Sequence, residues 1–397
     1  MKLFKRLPYA GLLVSALVVA GLAACGGGGD SGVTTNAATS GTLALSLTDA
    51  PACGYDEVNI TVQKVRVHQS STANDADAGW SEVVLNPARK INLLNLTNGV
   101  LLNLGQTPLP TGRYTQLRMI LADNTGNTLA NSVVPTGSSS EVALKTPSGQ
   151  QSGVKANINI DIAENKLADF VLDFDACKSV VTAGNSGQFL LKPVVSVIPR
   201  YISAVAGFVD ASLANGSTAV SLQQGGVVIK ATAPDSTGKF LLQPVGAGSY
   251  SLVLTAPGRT TAVITNVAVG TDTVTTVNAS GTAFSLPVST TGTAKGSAPV
   301  DTLVRALQVL SSGTTVEVAG RFVDGITGAY SFPLAVNAPL VAPYVAAPSA
   351  LVFTSDTAVA GRYTLRASAG LSAFADKAVV LPMLTTGTTV TTNITFP

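Results

Sequence analysis

The chain has 397 residues, 46% of them hydrophobic and only 12% charged, about half the charged share of an average soluble domain. Taking Lys2, Lys5 and Arg6 from the 24 Lys and Arg leaves 21 against 22 Asp and Glu, so the body of the chain is nearly neutral. It has no basic stripe and no aromatic-interleaved basic patch, the electrostatic footprint of a nucleic-acid binder. One His and three Cys make no cluster at zinc-ligand spacing.

In chain order, residues 1–24 place Lys2, Lys5 and Arg6 ahead of an uncharged run of Leu, Val and Ala, the outline of a secretory signal peptide. From Gly11 to Ala24 the run holds 14 residues, fewer than the roughly 20 a bilayer-spanning helix needs. Leu22-Ala23-Ala24-Cys25 resembles the lipobox of bacterial lipoproteins. The resemblance implies cleavage before Cys25, a diacylglyceryl group on its thiol, and a membrane anchor. An ordinary signal peptide cleaved beside a cysteine is the alternative. In that family an Asp directly after the cysteine commonly signals inner-membrane retention. Gly26 stands there instead, which implies the outer membrane where the host has one. Residues 25–41, "CGGGGDSGVTTNAATSG", have no apolar periodicity and read as a flexible tether.

With Cys25 acylated, Cys53 and Cys177 remain in an exported chain, and a disulfide between them is the economical reading. It would close a loop of about 125 residues, worth about 4–5 kcal/mol in the chain-entropy treatment. Two buried thiols are the alternative.

Val, Thr and Gly dominate the chain beyond the tether, with turn signals at short spacing. The fold class expected is all-β: tandem β-sandwiches behind the lipidated tether. In residues 42–200, "TLALSLTDAP" alternates Leu43, Leu45 and Leu47 on one face. "VNITVQKVRVH" is also a strand, but Val58, Ile60 and Val62 fall in one phase and Val65 and Val67 in the other. A β-bulge near Gln63-Lys64 reconciles them. "WSEVVL", "GRYTQLRMIL", "ANINIDI", "DFVLDFD" and "QFLLKPVVSVIP" are further strands, and "PARKINLLNLTNGVLLNLG" could hold a short helix. The segments Leu47-Thr48-Asp49-Ala50-Pro51, Asp173-Phe174-Asp175-Ala176 and Leu191-Lys192-Pro193 resemble those of a family of bacterial lipoprotein domains known only as a domain of unknown function. That resemblance brings no activity with it.

In residues 201–283, "TGKFLLQPVGAGSYSLVLTAPGR" resembles the carboxypeptidase regulatory-like family. This implies a small transthyretin-like, carbohydrate-binding-like sandwich. Residues 284–397 echo it with "VEVAGRFVDGITGAYSFPL" and "AGRYTLRASAG", separated by "AVNAPLVAPYVAAPSALVFTSDTAV". They are expected to form a divergent second repeat, the alternative being one irregular sandwich over residues 201–397. Few contacts are expected across the "VIPRYISAV" junction.

Candidate chemistry is sparse. His68 is the sole histidine, no G-x-S-x-G elbow accompanies it, and its strand phase points it outward. "NDADAG", with Asp75, Asp77 and Gly79, resembles the front of a calcium loop without the closing bidentate acid. It reads better as a polar hairpin tip. Trp80 is a core plug or an exposed sugar-stacking platform. Asp49, Asp173 and Asp175 read as turn caps or partners of Lys178 or Lys192. The expectation is therefore a cell-envelope binding or structural module with no catalytic residues, metal or cofactor. Its partners would be the membrane, through acyl chains on Cys25, and a glycan or envelope protein, met by loop tips such as "STANDADAG" and "DNTGN". The alternatives are a carbohydrate-binding surface adhesin and a hydrolase without a familiar motif.

Overall fold

The computed structural model describes residues 39–50, 54–126, 128–147, 152–346, 349–369 and 376–396. Cys25, Pro51 and Cys53, with the signal and tether segments up to residue 38, lie outside the described residues. Nearly all regular structure is β, and no described helix is long and apolar enough to cross a membrane.

The first sandwich packs two sheets face to face. One has the strand order Val195–Pro199, Leu167–Phe174, Ser40–Asp49, Leu102–Pro110. In it Leu43, Leu45 and Leu47 are buried on a single face, the consequence of their period-2 spacing. Tyr55–His68 runs through the second sheet, and its pairing slips between Val62 and Lys64. The extra residue, Gln63, reverses the phase, so Val58, Ile60, Val62, Val65 and Val67 all reach one core.

Two expectations change here. The segment expected to hold a helix yields only the 3-10 turn Leu93–Leu96, capped by the Asn92 side chain. Its flanks are drawn into the strands Ser81–Asn92 and Leu102–Pro110, which have ladder partners on hand. "QFLLKPVVSVIP" is two strands, Phe189–Leu191 and Val195–Pro199, in different sheets. Pro193 has no N–H to extend the first ladder, and the chain crosses between sheets at this point.

The remaining chain forms two sandwiches of one design. In the second, Ala204–Phe208 pairs antiparallel with Lys239–Leu242 and parallel with Val274–Thr276. Against this sheet stand, in order, Val227–Thr232, Ala219–Gln224, Gly248–Thr255 and Ala262–Val269. In the third, Thr291–Ser297 pairs antiparallel with Ala329–Ala335 and parallel with Thr389–Thr391. Its other sheet runs Thr315–Phe322, Thr302–Val309, Thr364–Ala369, Lys377–Val380. Order and pairing sense are identical.

The same turn opens the fourth strand of each unit. Asp235 and Asp324 accept backbone N–H bonds inside their turns, which end at Gly238 and Gly328 with positive φ. Each of these glycines presses on the residue that follows the first strand: a Cβ would sit 2.2 Å from the Val209 oxygen or 2.1 Å from the Ala298 oxygen. A tyrosine opens the fifth strand of both units. Tyr250 donates to Gly246 O at 2.8 Å and Tyr363 to Ala335 O at 2.6 Å, corners that tie the strand entry to the preceding chain.

The middle of the segment separating the halves of the third unit leaves that unit. Leu340–Pro343 pairs parallel with Ala262–Val269 of the second sandwich, and Thr354–Ser355 pairs antiparallel behind it. Leu340, Tyr344, Leu351 and Phe353 pack on the second core, which Phe284 and Leu286 also enter. A further cluster of Val253, Val263, Leu310 and Val316 joins the second and third sandwiches.

Gly225 also has positive φ but open space around its missing Cβ, so Gly225→Ala is expected to cost only the left-handed penalty of roughly 1–2 kcal/mol. Gly238→Ala and Gly328→Ala add a backbone collision and are expected to cost at least twice as much. Urea unfolding of the three variants measures the difference.

Candidate functional site

The aspartates singled out from the sequence gather at the end of the first sandwich, where it meets the other two. Asp49 ends one strand, and Asp173 lies on its parallel neighbour, in register with Thr48. Asp175 caps the single helical turn Ala176–Ser179 by accepting from Lys178 N at 2.9 Å. Asp49 Oδ1 accepts from Ala176 N at 3.0 Å, while its Oδ2 is buried with no partner among the described residues. Burial pushes the Asp49 carboxyl well above the usual carboxylate range against the pull of that N–H bond, and Asp175 and Asp173 push the same way.

The expected partnerships hold only in part. Lys178 does pair with Asp175, at 3.4 Å, and also with Glu317 of the third sandwich, at 3.0 Å. Asp173 pairs at 2.6 Å with Lys230 of the second sandwich, a lysine whose side chain is only 1% exposed. Burial raises the Asp173 carboxyl's pKa, and Lys230 opposes the rise. Lys192 pairs with Asp301 of the third sandwich, not with the aspartate cluster, and Pro193 stands half-buried beside it.

Neutral groups complete the joint. Gln223 donates to Glu317 O at 2.8 Å and accepts from Glu317 N at 2.7 Å, the two bonds of a sheet-like pair. Asn98, at φ 58°, turns its backbone N–H to Thr232 Oγ1 and its side-chain oxygen to Leu241 N. Asp324 accepts from Gly184 N at 2.8 Å. The junction after Pro199, expected to carry few contacts, is thus crossed by buried polar bonds, and Thr39–Pro397 is one compact unit. Between the sandwiches lies a cleft of about 610 Å³, with Tyr55, Lys178, Gln223, Glu317, Arg321 and Phe332 among its walls.

The other candidates lie elsewhere. His68 is held from both ring nitrogens: Nε2 bonds Ala78 O at 2.9 Å, and Nδ1 accepts from Ser70 N at 2.8 Å. Trp80 is half-buried, donates to Asn74 O at 2.9 Å, and lies beside Arg66 and Arg118, 4.5 and 4.8 Å from its ring centre. It is neither a core plug nor a free platform but the floor on which the "NDADAG" tip folds. Asp75 pairs with Arg118, Asp77 accepts from Asn74 N at 2.8 Å, and Gly79 takes the positive φ of the turn. Among the described residues no cluster of His, Cys, Asp or Glu could hold a metal ion.

Sequence alone did not single out Lys230 and Glu317, although each carries one signal: a lone charge inside an apolar strand, in "GVVIKAT" and "TTVEVAG". A charge so placed needs a partner from elsewhere.

The fold and joint define a three-sandwich protein with interlocked units. Residues 40–193, most of the first sandwich, match the family described as "Domain of unknown function (DUF4382)". No curated protein matches the chain. Among solved structures, the type II cohesin–X–dockerin complex from Acetivibrio cellulolyticus, an N-terminal interface mutant, is 22% identical over 22% of this chain and 58% of its own, with a TM-score of 0.19. The Bacillus anthracis TIE protein is 11% identical over 90% of this chain and 51% of its own, with a TM-score of 0.18. The pilus adhesin SpaC from Lactobacillus rhamnosus GG is 9% identical over 90% and 43%, with a TM-score of 0.14. The chain therefore spans less than two thirds of each, and likeness at this level assigns no function.

The joint makes two outcomes measurable. Lys230→Met strands a buried carboxylate and is expected to cost about 3–5 kcal/mol, most of it recovered when Asp173→Leu is added; a urea double-mutant cycle measures both. Asp49 has a folded pKa above its unfolded value, so its contribution is whole below the unfolded pKa of about 4 and is lost as pH rises through the folded pKa. Asp49→Asn keeps the acceptor for Ala176 N without that loss. Its melting temperature is expected to exceed the parent's at pH 7 by about 2 °C, with the gap closing towards pH 4 in scanning calorimetry.

Proposed function

We propose that the protein is a non-catalytic module of the cell envelope, anchored by acyl chains on Cys25 and presenting its rigid three-sandwich body to a glycan or an envelope protein. The carrying observation is where its buried ionisable groups are spent. Asp173, Lys230, Lys178 and Glu317 pair across the seams between sandwiches, so the groups that an active site would draw on hold the body together instead. The lipobox resemblance at Leu22-Ala23-Ala24-Cys25 supports the anchor, and Gly26 after it supports the outer membrane where the host has one.

We assign Cys53 and Cys177 to one disulfide. Supporting the pairing, Ala50 N donates to Phe174 O at 2.9 Å and Ala176 N to Asp49, which sets the two stretches of chain side by side. We further assign residues 42–200, 201–283 and 284–397 to three sandwiches, the last two as carboxypeptidase regulatory-like repeats. Their common strand order supports this, with Leu340–Pro343 and Thr354–Ser355 on loan to the second.

Mass spectrometry of the mature N-terminus is expected to find acylated Cys25, and Cys25→Ser is expected to release the protein from membranes. An unmodified chain starting elsewhere would overturn the anchor. The purified protein is expected to be retained on cell-wall or polysaccharide fractions without altering them, and turnover of any fraction would overturn the module.

A further inference from the structure

The two repeats differ at one sheet edge. In the second sandwich the last strand of the larger sheet, Ala262–Val269, is covered by a strand from outside that sandwich and is mostly buried. The covering strand donates from alternate residues: Leu340 N to Thr261 O at 2.9 Å and Tyr344 N to Thr265 O at 2.8 Å. Pro339 and Pro343 occupy the intervening phase, where no N–H is needed on this side. The occupant is thus parallel, uncharged and bounded by prolines.

In the third sandwich the equivalent strand, Lys377–Val380, is the sheet's edge, and among the described residues nothing pairs with its outer side. Leu381 N donates inward to Tyr363 O at 3.0 Å. Strand alternation therefore turns Leu381, Val379 and Lys377 inward and leaves the N–H and C=O of Ala378 and Val380 facing out. Val380 is 78% exposed and Met383 54%. Lys377 is the strand's only charge, a thin defence for an open edge.

We propose that Lys377–Val380 is a docking edge for an extended strand of a partner protein, an uncharged apolar segment that pairs parallel and is bounded by prolines, as Pro339–Pro343 does on the sister repeat. This deepens the binding-module reading by naming one surface and the chemistry that fits it. A second copy of this chain fits less well, because two identical edges meeting about a two-fold axis pair antiparallel, whereas the occupant on the sister edge is parallel.

The probe is a labelled synthetic peptide with the sequence of residues 337–345, titrated into the purified full chain by fluorescence anisotropy. Saturable binding is expected, weakened at least ten-fold by Val380→Pro, which removes an outward N–H and leaves the inner ladder intact. Because a proline could disturb the fold, the peptide carries the matching test. N-methylation at the position of Ala342, in the donating phase, is expected to abolish binding, and at the position of Val341 to spare it. No saturable binding, equal loss from both methylations, or binding indifferent to Val380→Pro would overturn the proposal. So would a dimer that Val380→Pro dissociates but the peptide does not compete with, which would assign the edge to a second copy. Lost peptide binding with retention on envelope fractions intact refutes this edge alone and leaves the module standing.

Discussion

A lysine ammonium withdrawn from water needs a counter-charge within a few ångströms, because the desolvation cost of a lone buried ion far exceeds what packing returns. Lys230, with a side chain only 1% exposed, finds Asp173 at 2.6 Å, and the two belong to different sandwiches. Sliding one sandwich against the other would strand both ions. The same logic repeats at Lys178 with Glu317 and at Lys192 with Asp301, so the first sandwich is indexed against both of its neighbours. Apolar burial supplies most of the cohesion but little direction; the ion pairs supply the register.

Charge scarcity sharpens this effect. With 12% charged residues, much of the surface falls to Ser, Thr, Asn and Gly, and several of the few acids and bases stand at joints and turn tips. Asp235 and Asp324 organise the turn of each repeat, and Asp75 with Arg118 closes the hairpin tip over Trp80. Even the sole histidine is committed at both nitrogens to local loop geometry.

The loan of Leu340–Pro343 joins the second and third sandwiches differently. A repeat that buries its own edge under a neighbour's strand trades independence for protection from edge-to-edge pairing. The second core then contains Leu340, Tyr344, Leu351 and Phe353 from beyond its own repeat, which couples the folding of the two units. The counterpart edge, Lys377–Val380, lacks this protection among the described strands.

Local periodicity was legible wherever one side chain's neighbours in sequence determined its side. Pattern along the chain was enough for the all-β class, the inward phase of Leu43, Leu45 and Leu47, and the bulge at Gln63, because a strand's period of two leaves no other way to bury both valine sets. The echo of "AGSYSL" in "AGRYTL" pointed to a repeat, and "TGRYTQL" in the first sandwich, where Tyr114 donates to Pro110 O at 3.2 Å, carries the same signal. Packing in three dimensions was needed to choose which cation meets which aspartate, to send Leu340–Pro343 and Thr354–Ser355 to the neighbouring sandwich, and to set Trp80 beneath a hairpin tip. Those outcomes depend on residues tens to more than a hundred positions apart in the chain. Burial and pairing at that range are properties of packed surfaces, which hydrophobic pattern along the chain does not encode.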